Sequence, residues 1–114
     1  MEITINEFAK YYNKLKFRGE SRLNCIREHI VCSDGYKFSC QYGYGMYCDA
    51  YSISRQEQEI NKDSELLIVN FTTFELSLPY SLKSLSEYDC GGVYARVPCD
   101  KVVNLINNHG GLKK

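Results

Sequence analysis

Hydrophobic and polar positions change period along this chain, and the change marks out its elements. Phe8, Tyr11, Tyr12 and Leu15 recur at i, i+3, i+4 and i+7, which predicts an amphipathic helix over residues 5–16. Thr4-Ile5-Asn6-Glu7 fits a capping box, in which the Thr4 hydroxyl accepts from the Glu7 amide while the Glu7 side chain reaches back. Ile3 is placed to staple against Phe8. Lys10, Lys14 and Lys16 fall largely off the apolar stripe, and Gly19 ends the element.

From Asn24 the period is two. Ile26, Ile30 and Cys32 form the apolar face of a half-buried strand, interrupted by Glu28. Asp34-Gly35 follows, a strong hairpin signal because the dipeptide favours positive φ. The return strand is Tyr36 to Gln41, with Tyr36, Phe38 and Cys40 on one face. A third strand is predicted from Tyr47 to Ser54. Residues 55–65 are polar and read as a loop, and Leu66 to Phe71 is predicted as the central strand. Glu75 to Leu85 reads as irregular, broken by Pro79. Cys90-Gly91-Gly92 is a turn, and Val93 to Val97 a short strand. Pro98 opens a last helix with Val102, Val103 and Ile106 as its buried stripe. Asn108-His109-Gly110-Gly111 stops that helix, with Leu112 placed for the closing hydrophobic contact. The order α-β-β-β-β-β-α predicts one α+β domain over residues 1–114. Its sheet is mainly antiparallel, of about four to five strands, with the helices on one face.

Composition adds little to the fold and more to the function. Length is 114 residues, with 44% hydrophobic and 25% charged residues, ordinary for a domain able to bury a core without staples. Net charge is zero, yet residues 10–37 carry seven Lys/Arg against three Asp/Glu, and residues 49–75 carry two against six. Solvated faces explain most such patterning; a dipole that orients a charged partner is the sharper reading. A neutral domain lacks the cationic surplus that sequence-independent DNA binding needs, so no direct nucleic-acid contact is expected. The start Met1-Glu2-Ile3-Thr4 has neither a basic nor an apolar leader region, and the run Leu66-Leu67-Ile68-Val69 is too short for a bilayer. The expected location is the cytoplasm, away from membranes.

The six cysteines, at 25, 32, 40, 48, 90 and 99, contain no CxxC or CxxH spacing. In a reducing compartment they are expected as small buried hydrophobes. A metal site drawing on His29 or His109, and a Cys40–Cys48 disulfide, are the alternatives. Catalytic signals are weak. Cys99 lies in the first turn of the last helix, where the dipole lowers a thiol pKa, but its apolar neighbours favour a core role. His109 sits where a helix C-terminus favours a cation. Gly43 and Gly45 lack the following helix and GK[ST] of a phosphate loop, and Glu57 and Glu59 lie in a polar loop. The chain is expected to be no enzyme and to need no cofactor.

What stands out is Tyr42-Gly43-Tyr44-Gly45-Met46-Tyr47, set between Cys40 and Cys48. Five of the ten tyrosines lie between Tyr36 and Tyr51. Tyrosine with glycine suits an adaptable contact loop, so Tyr42, Tyr44, Met46, Tyr47, Tyr51 and Arg55 are the candidate partner-binding residues. The competing reading is that alternate tyrosines pack within the sheet. A second candidate is the basic patch of Lys14, Lys16, Arg18, Arg22 and Arg27. With the rings it would suit a nucleotide-binding sponge. Acidic mimicry by Glu57, Glu59, Asp63 and Glu65 is weaker.

The segments Asp34-Gly35-Tyr36-Lys37-Phe38-Ser39-Cys40-Gln41 and Tyr47-Cys48 resemble a group of small uncharacterised proteins of phages, prophages and mobile elements. So do Phe71, Pro79-Tyr80, Val93-Tyr94-Ala95-Arg96-Val97-Pro98 and His109-Gly110-Gly111. The chain departs from the group at residues 81–89, where the group has an acidic, proline-rich linker. The group supplies no catalytic residues. What the resemblance implies is genomic context, in which such proteins are often anti-defence factors, anti-CRISPR proteins among them. The expected function is stoichiometric inhibition of a bacterial defence protein, such as a Cas effector subunit, in the host cytoplasm. Sequestering a nucleotide signal is the alternative.

Overall fold

The computed structural model describes residues 2–18, 26–43, 46–48 and 73–113. Among these are helix α1 (Ile5–Asn13), strands β1 (Ile30–Val31), β2 (Lys37–Gln41) and β3 (Thr73–Ser77), and a 3₁₀ helix over Lys83–Tyr88. Strands β4 (Asp89–Cys90) and β5 (Val93–Pro98) and helix α2 (Cys99–Asn108) complete them. The strands form one sheet in the order β1-β2-β3-β5-β4, with every neighbouring pair antiparallel. The architecture is α+β, as the sequence pattern predicts.

The capping box at the start of α1 is present in both directions: Glu7 N–H to Thr4 Oγ1 at 3.1 Å and Thr4 N–H to Glu7 Oε1 at 3.0 Å. Ile3 packs against the core, and Phe8, Tyr12 and Leu15 are buried in it. The helix ends at Asn13, short of the predicted residue 16. The reason is a competing use of the backbone. The Arg18 N–H donates to the Ile26 carbonyl at 2.7 Å and the Glu28 N–H to the Lys16 carbonyl at 2.9 Å. Residues 16–18 therefore run antiparallel to residues 26–28 and cannot continue a helix. Gly19, the predicted stop, lies outside the described residues.

The strand predicted from Asn24 is not continuous. Ile30 and Cys32 are buried as expected, but in the preceding part it is Arg27, and not Ile26, that is fully buried. The inward parity slips between Arg27 and Ile30, so β1 keeps two residues. The hairpin then turns where Asp34-Gly35 predicts. Gly35 N–H reaches the Cys32 carbonyl at 3.0 Å and Cys32 N–H the Tyr36 carbonyl at 2.8 Å, closing a three-residue loop. Gly35 has φ +91 while Asp34 does not enter positive φ, so glycine alone takes the left-handed position.

β3 is a correction. The stretch from Glu75 was expected to be irregular, yet Thr73–Ser77 is the middle strand, with Phe74 and Leu76 fully buried. Its polar-apolar alternation is the ordinary strand signal. The strand predicted at Leu66–Phe71, the loop at 55–65 and residues 49–54 of the predicted third strand lie outside the described residues. β5 pairs Val97 with Phe74 and Tyr94 with Leu76, so Ala95 and Arg96 together face Glu75 in a bulge.

Pro98 is the N-cap of α2. At the other end Gly111 N–H bonds the Ile106 carbonyl at 3.0 Å and Gly110 N–H the Asn107 carbonyl at 3.1 Å, the two bonds of a Schellman closure. Asn107 pairs with the chain before α1, accepting from Ile3 N–H at 2.8 Å and donating to the Ile3 carbonyl at 3.0 Å. Both helices join the inward side chains of the sheet in one core. Phe8 meets Phe74 edge-on at 5.7 Å, and Val102, Leu105 and Ile106 are buried in the same cluster.

Candidate functional site

The Tyr-Gly segment leaves the end of β2 and divides at once into an inward and an outward part. Tyr42 is 0% exposed. Its ring lies 6.3 Å from that of Tyr12, edge-on, and 5.7 Å from that of Phe74. Tyr42 is therefore a core residue and the contact role expected for it is corrected: it continues the inward side of the strand and fills the space under α1. Gly43 turns the chain at φ +128, and Met46 N–H returns to the Gly43 carbonyl at 3.0 Å. Cys48 is buried again, with its sulfur 3.4 Å from the Gly43 nitrogen. Met46 is half-buried against the core.

Between those two buried residues Tyr47 is 55% exposed. Its main chain is nonetheless held twice, by Tyr47 N–H to Glu75 Oε2 at 3.0 Å and by Arg96 N–H to the Tyr47 carbonyl at 2.9 Å. The β5 bulge is what presents the Arg96 N–H. Tyr44, Tyr51 and Arg55 lie outside the described residues.

The basic patch also divides. Lys14, Lys16 and Arg18 are exposed, and Arg22 lies outside the described residues. Arg27 is 1% exposed and is not part of any surface. Its guanidinium donates to the carbonyls of Tyr12 at 3.0 Å and Leu15 at 2.9 Å, with Asn13 at 3.5 Å. These carbonyls lie in the last turn of α1 and just beyond it, where the helix dipole is negative. The guanidinium carbon also lies 4.8 Å from the Tyr12 ring centre and 4.2 Å from that of Phe17, both within cation–π reach. The main chain of Arg27 is paired by a side chain: Gln41 Oε1 accepts from its N–H at 2.7 Å and Gln41 Nε2 donates to its carbonyl at 3.0 Å. Residue counting placed Arg27 with its basic neighbours; only the helix end it caps explains its burial.

At the opposite end of β2, five residues or roughly 17 Å away, lies a cluster that the sequence reading treated as a turn and a helix stop. His109 Nδ1 is 2.7 Å from Asp34 Oδ2, and the imidazole stacks on Tyr36 at 3.8 Å with 3° between planes. Tyr80, 56% exposed, meets Tyr36 edge-on at 5.7 Å. The Tyr36 N–H and the His109 ring hold the Asp34 carboxyl below its usual range. Burial, with Tyr80 beside it, pushes the Tyr36 hydroxyl up to about 12. The backbone ties the same parts together, with Ser33 N–H to the Gly111 carbonyl at 2.8 Å and Lys113 N–H to the Val31 carbonyl at 3.0 Å. Residues 111–113 thus bridge to the outer edge of β1 and to the turn after it, which leaves less unpaired edge there.

Cys32, Cys40, Cys48 and Cys99 are buried free thiols, and Cys90 is an exposed one. Burial, with Asp100 a smaller contributor, pushes the Cys99 thiol up to about 11, and the side chain lies in the core, the role its apolar neighbours favour. Among the described residues no three of His, Cys, Asp and Glu are grouped to hold a metal ion. A depression of about 180 Å³ lies between Ser84, Leu85, Lys101 and Asn104. That is below the roughly 300 Å³ at which small-molecule pockets begin. No described helix is long and apolar enough to cross a membrane. Comparison with protein-family models, curated proteins and solved structures gives no match.

Proposed function

We propose that this protein acts by stoichiometric binding to a bacterial defence protein, with a Cas effector subunit as the partner, and that Tyr47 is the anchor of the contact. The observation that carries the reading is the contrast at Tyr47 itself: a largely exposed ring on a main chain fixed by two hydrogen bonds. A ring held out in this way binds without first losing loop freedom, which raises affinity for a given contact. Tyrosine is among the residue types that dominate interface energetics. The defence target rests on the resemblance to phage and mobile-element proteins, which covers Tyr47-Cys48 as well as Asp34-Gly35, Pro79-Tyr80 and His109-Gly110-Gly111.

The test is phage plating on hosts carrying CRISPR systems of different types, with and without the protein, followed by co-elution with the purified Cas effector of any host affected. The expected result is restored plating and a stable complex, both lost in Tyr47→Ala. Unchanged plating in every host would overturn the reading. So would a melting temperature raised by a nucleotide with no Cas complex formed, which is the sponge behaviour.

A further inference from the structure

Glu75 is the central residue of β3, which is itself the middle strand of the sheet. Glutamate is depleted in strands, and a half-buried carboxylate needs hydrogen bonds in place of the water it loses. A β-branched residue would serve the sheet better there, as Thr73 does two residues earlier on the same side of the strand. The carboxylate has a definite use instead. Glu75 is in register with Gln41 of β2, and on its other side Ala95 and Arg96 together face it in the β5 bulge. From that position Glu75 Oε2 accepts the Tyr47 N–H at 3.0 Å. The bulge, with Arg96 at φ +52, supplies the second bond, from the Arg96 N–H to the Tyr47 carbonyl at 2.9 Å. One level of the sheet thus takes both main-chain polar groups of a single loop residue.

We infer that Glu75 is the positioning residue of the Tyr47 surface: its carboxylate holds the Tyr47 main chain, so that the exposed ring meets the partner protein already placed. The inference rests on the protein-binding reading above. Gln41, at the same level of the neighbouring strand, shows the same device in structural use. Its side chain fixes the main chain of Arg27 at both N–H and carbonyl, and the Arg27 side chain is buried. Glu75 fixes the main chain of Tyr47, and the Tyr47 ring is left outside. The first bond completes the fold. The second orders a loop residue whose ring adds little to the core, and its return comes on binding, where an ordered contact residue costs less conformational freedom.

The test uses Glu75→Thr and Glu75→Gln in the full chain. Threonine is a good strand former that is too short to reach the Tyr47 N–H; glutamine keeps an acceptor at the same reach. Hydrogen exchange of the Tyr47 amide is read by NMR on the free protein, and affinity is read against the Cas effector that co-elutes with the wild type. In Glu75→Thr the Tyr47 amide is expected to exchange about tenfold faster and affinity to fall about fivefold, the scale of one lost hydrogen bond, with Tm within about 4 °C of the wild type. Glu75→Gln is expected to restore both readouts. Unchanged exchange of the Tyr47 amide in Glu75→Thr overturns the inference, as does a freed amide with unchanged affinity. A larger fall in Tm overturns it too, because the side chain then serves the fold, and so does a Glu75→Gln protein that restores neither readout. A wild type that suppresses no interference removes the protein-binding reading and this inference with it. The exchange rate, read without any partner, tells that failure apart from one in which Glu75 does not hold Tyr47.

Discussion

The two ends of β2 carry similar chemistry and use it differently. At one end Asp34, Tyr36 and His109 turn their polar and aromatic groups toward one another, and the chain end is stitched to β1 beside them. At the other end the main chain of Tyr47 is stitched down while its ring is left outside. The first arrangement packs its rings and its Asp34–His109 pair together and reads as a clasp, although the buried Tyr36 hydroxyl has no hydrogen-bond partner among the described residues. The second leaves an exposed ring on a fixed main chain, the feature on which the binding proposal rests. Residue type does not separate the two; the direction in which the side chains are spent does.

The largest test of this contrast compares two tyrosines five positions apart. Tyr42→Ala empties a fully buried ring site and is expected to cost about 4 kcal/mol in urea unfolding, the usual range for a large aromatic. Tyr47→Ala is expected to stay within about 0.5 kcal/mol of the wild type and to lose partner binding instead. Equal destabilisation by both would mean that the loop is as structural as the clasp.

Arg27 gives the next effect. Arg27→Met leaves the carbonyls at the end of α1 without their donor and is expected to cost about 3 kcal/mol by chemical denaturation. Lys16→Met, an exposed change in the same basic stretch, is expected to stay within about 0.5 kcal/mol. A mild Arg27→Met would return that residue to the surface patch.

The clasp is tested by smaller changes. Gly110 has φ +84, and a Cβ there would stand 3.2 Å from the Ser33 Cβ, so Gly110→Ala strains both the helix stop and its contact with the hairpin. The expected loss is about 1–2 kcal/mol in thermal unfolding, with partner binding per folded molecule unchanged. The smallest effect is that of pH. The Asp34 carboxyl titrates lower in the folded chain than in the unfolded one, so its contribution is fully present above the ordinary Asp value of about 3.9. It is lost as pH falls through the lower folded value. Wild-type stability should therefore drop more steeply than that of Asp34→Asn between about pH 5 and pH 2, the two curves converging in acid. Parallel curves would show that the carboxylate adds nothing to the clasp.

Local pattern alone determined a good part of this protein. Thr4 and Glu7 specify the start of α1 because their partners lie three residues apart. Asp34-Gly35 specifies the hairpin, and Gly110-Gly111 the end of α2, because glycine takes a left-handed position with the least strain. Thr73–Ser77 carries an equally local alternation, although Pro79 breaks the pattern two residues later. The Tyr-Gly segment was legible only as a whole: a run of tyrosines marks a region rich in rings but not which of them face out. Tertiary structure decided that. The strand parity of β2 carries Tyr42 inward, the β5 bulge turns the Arg96 N–H to Tyr47, and the end of α1 draws Arg27 out of its basic neighbourhood. The His109–Asp34 contact spans 75 residues of chain, and no local period encodes it. Sequence fixes what a residue is able to do within a turn or two of backbone; burial, and with it the choice between holding the fold and meeting a partner, depends on groups brought in from far along the chain.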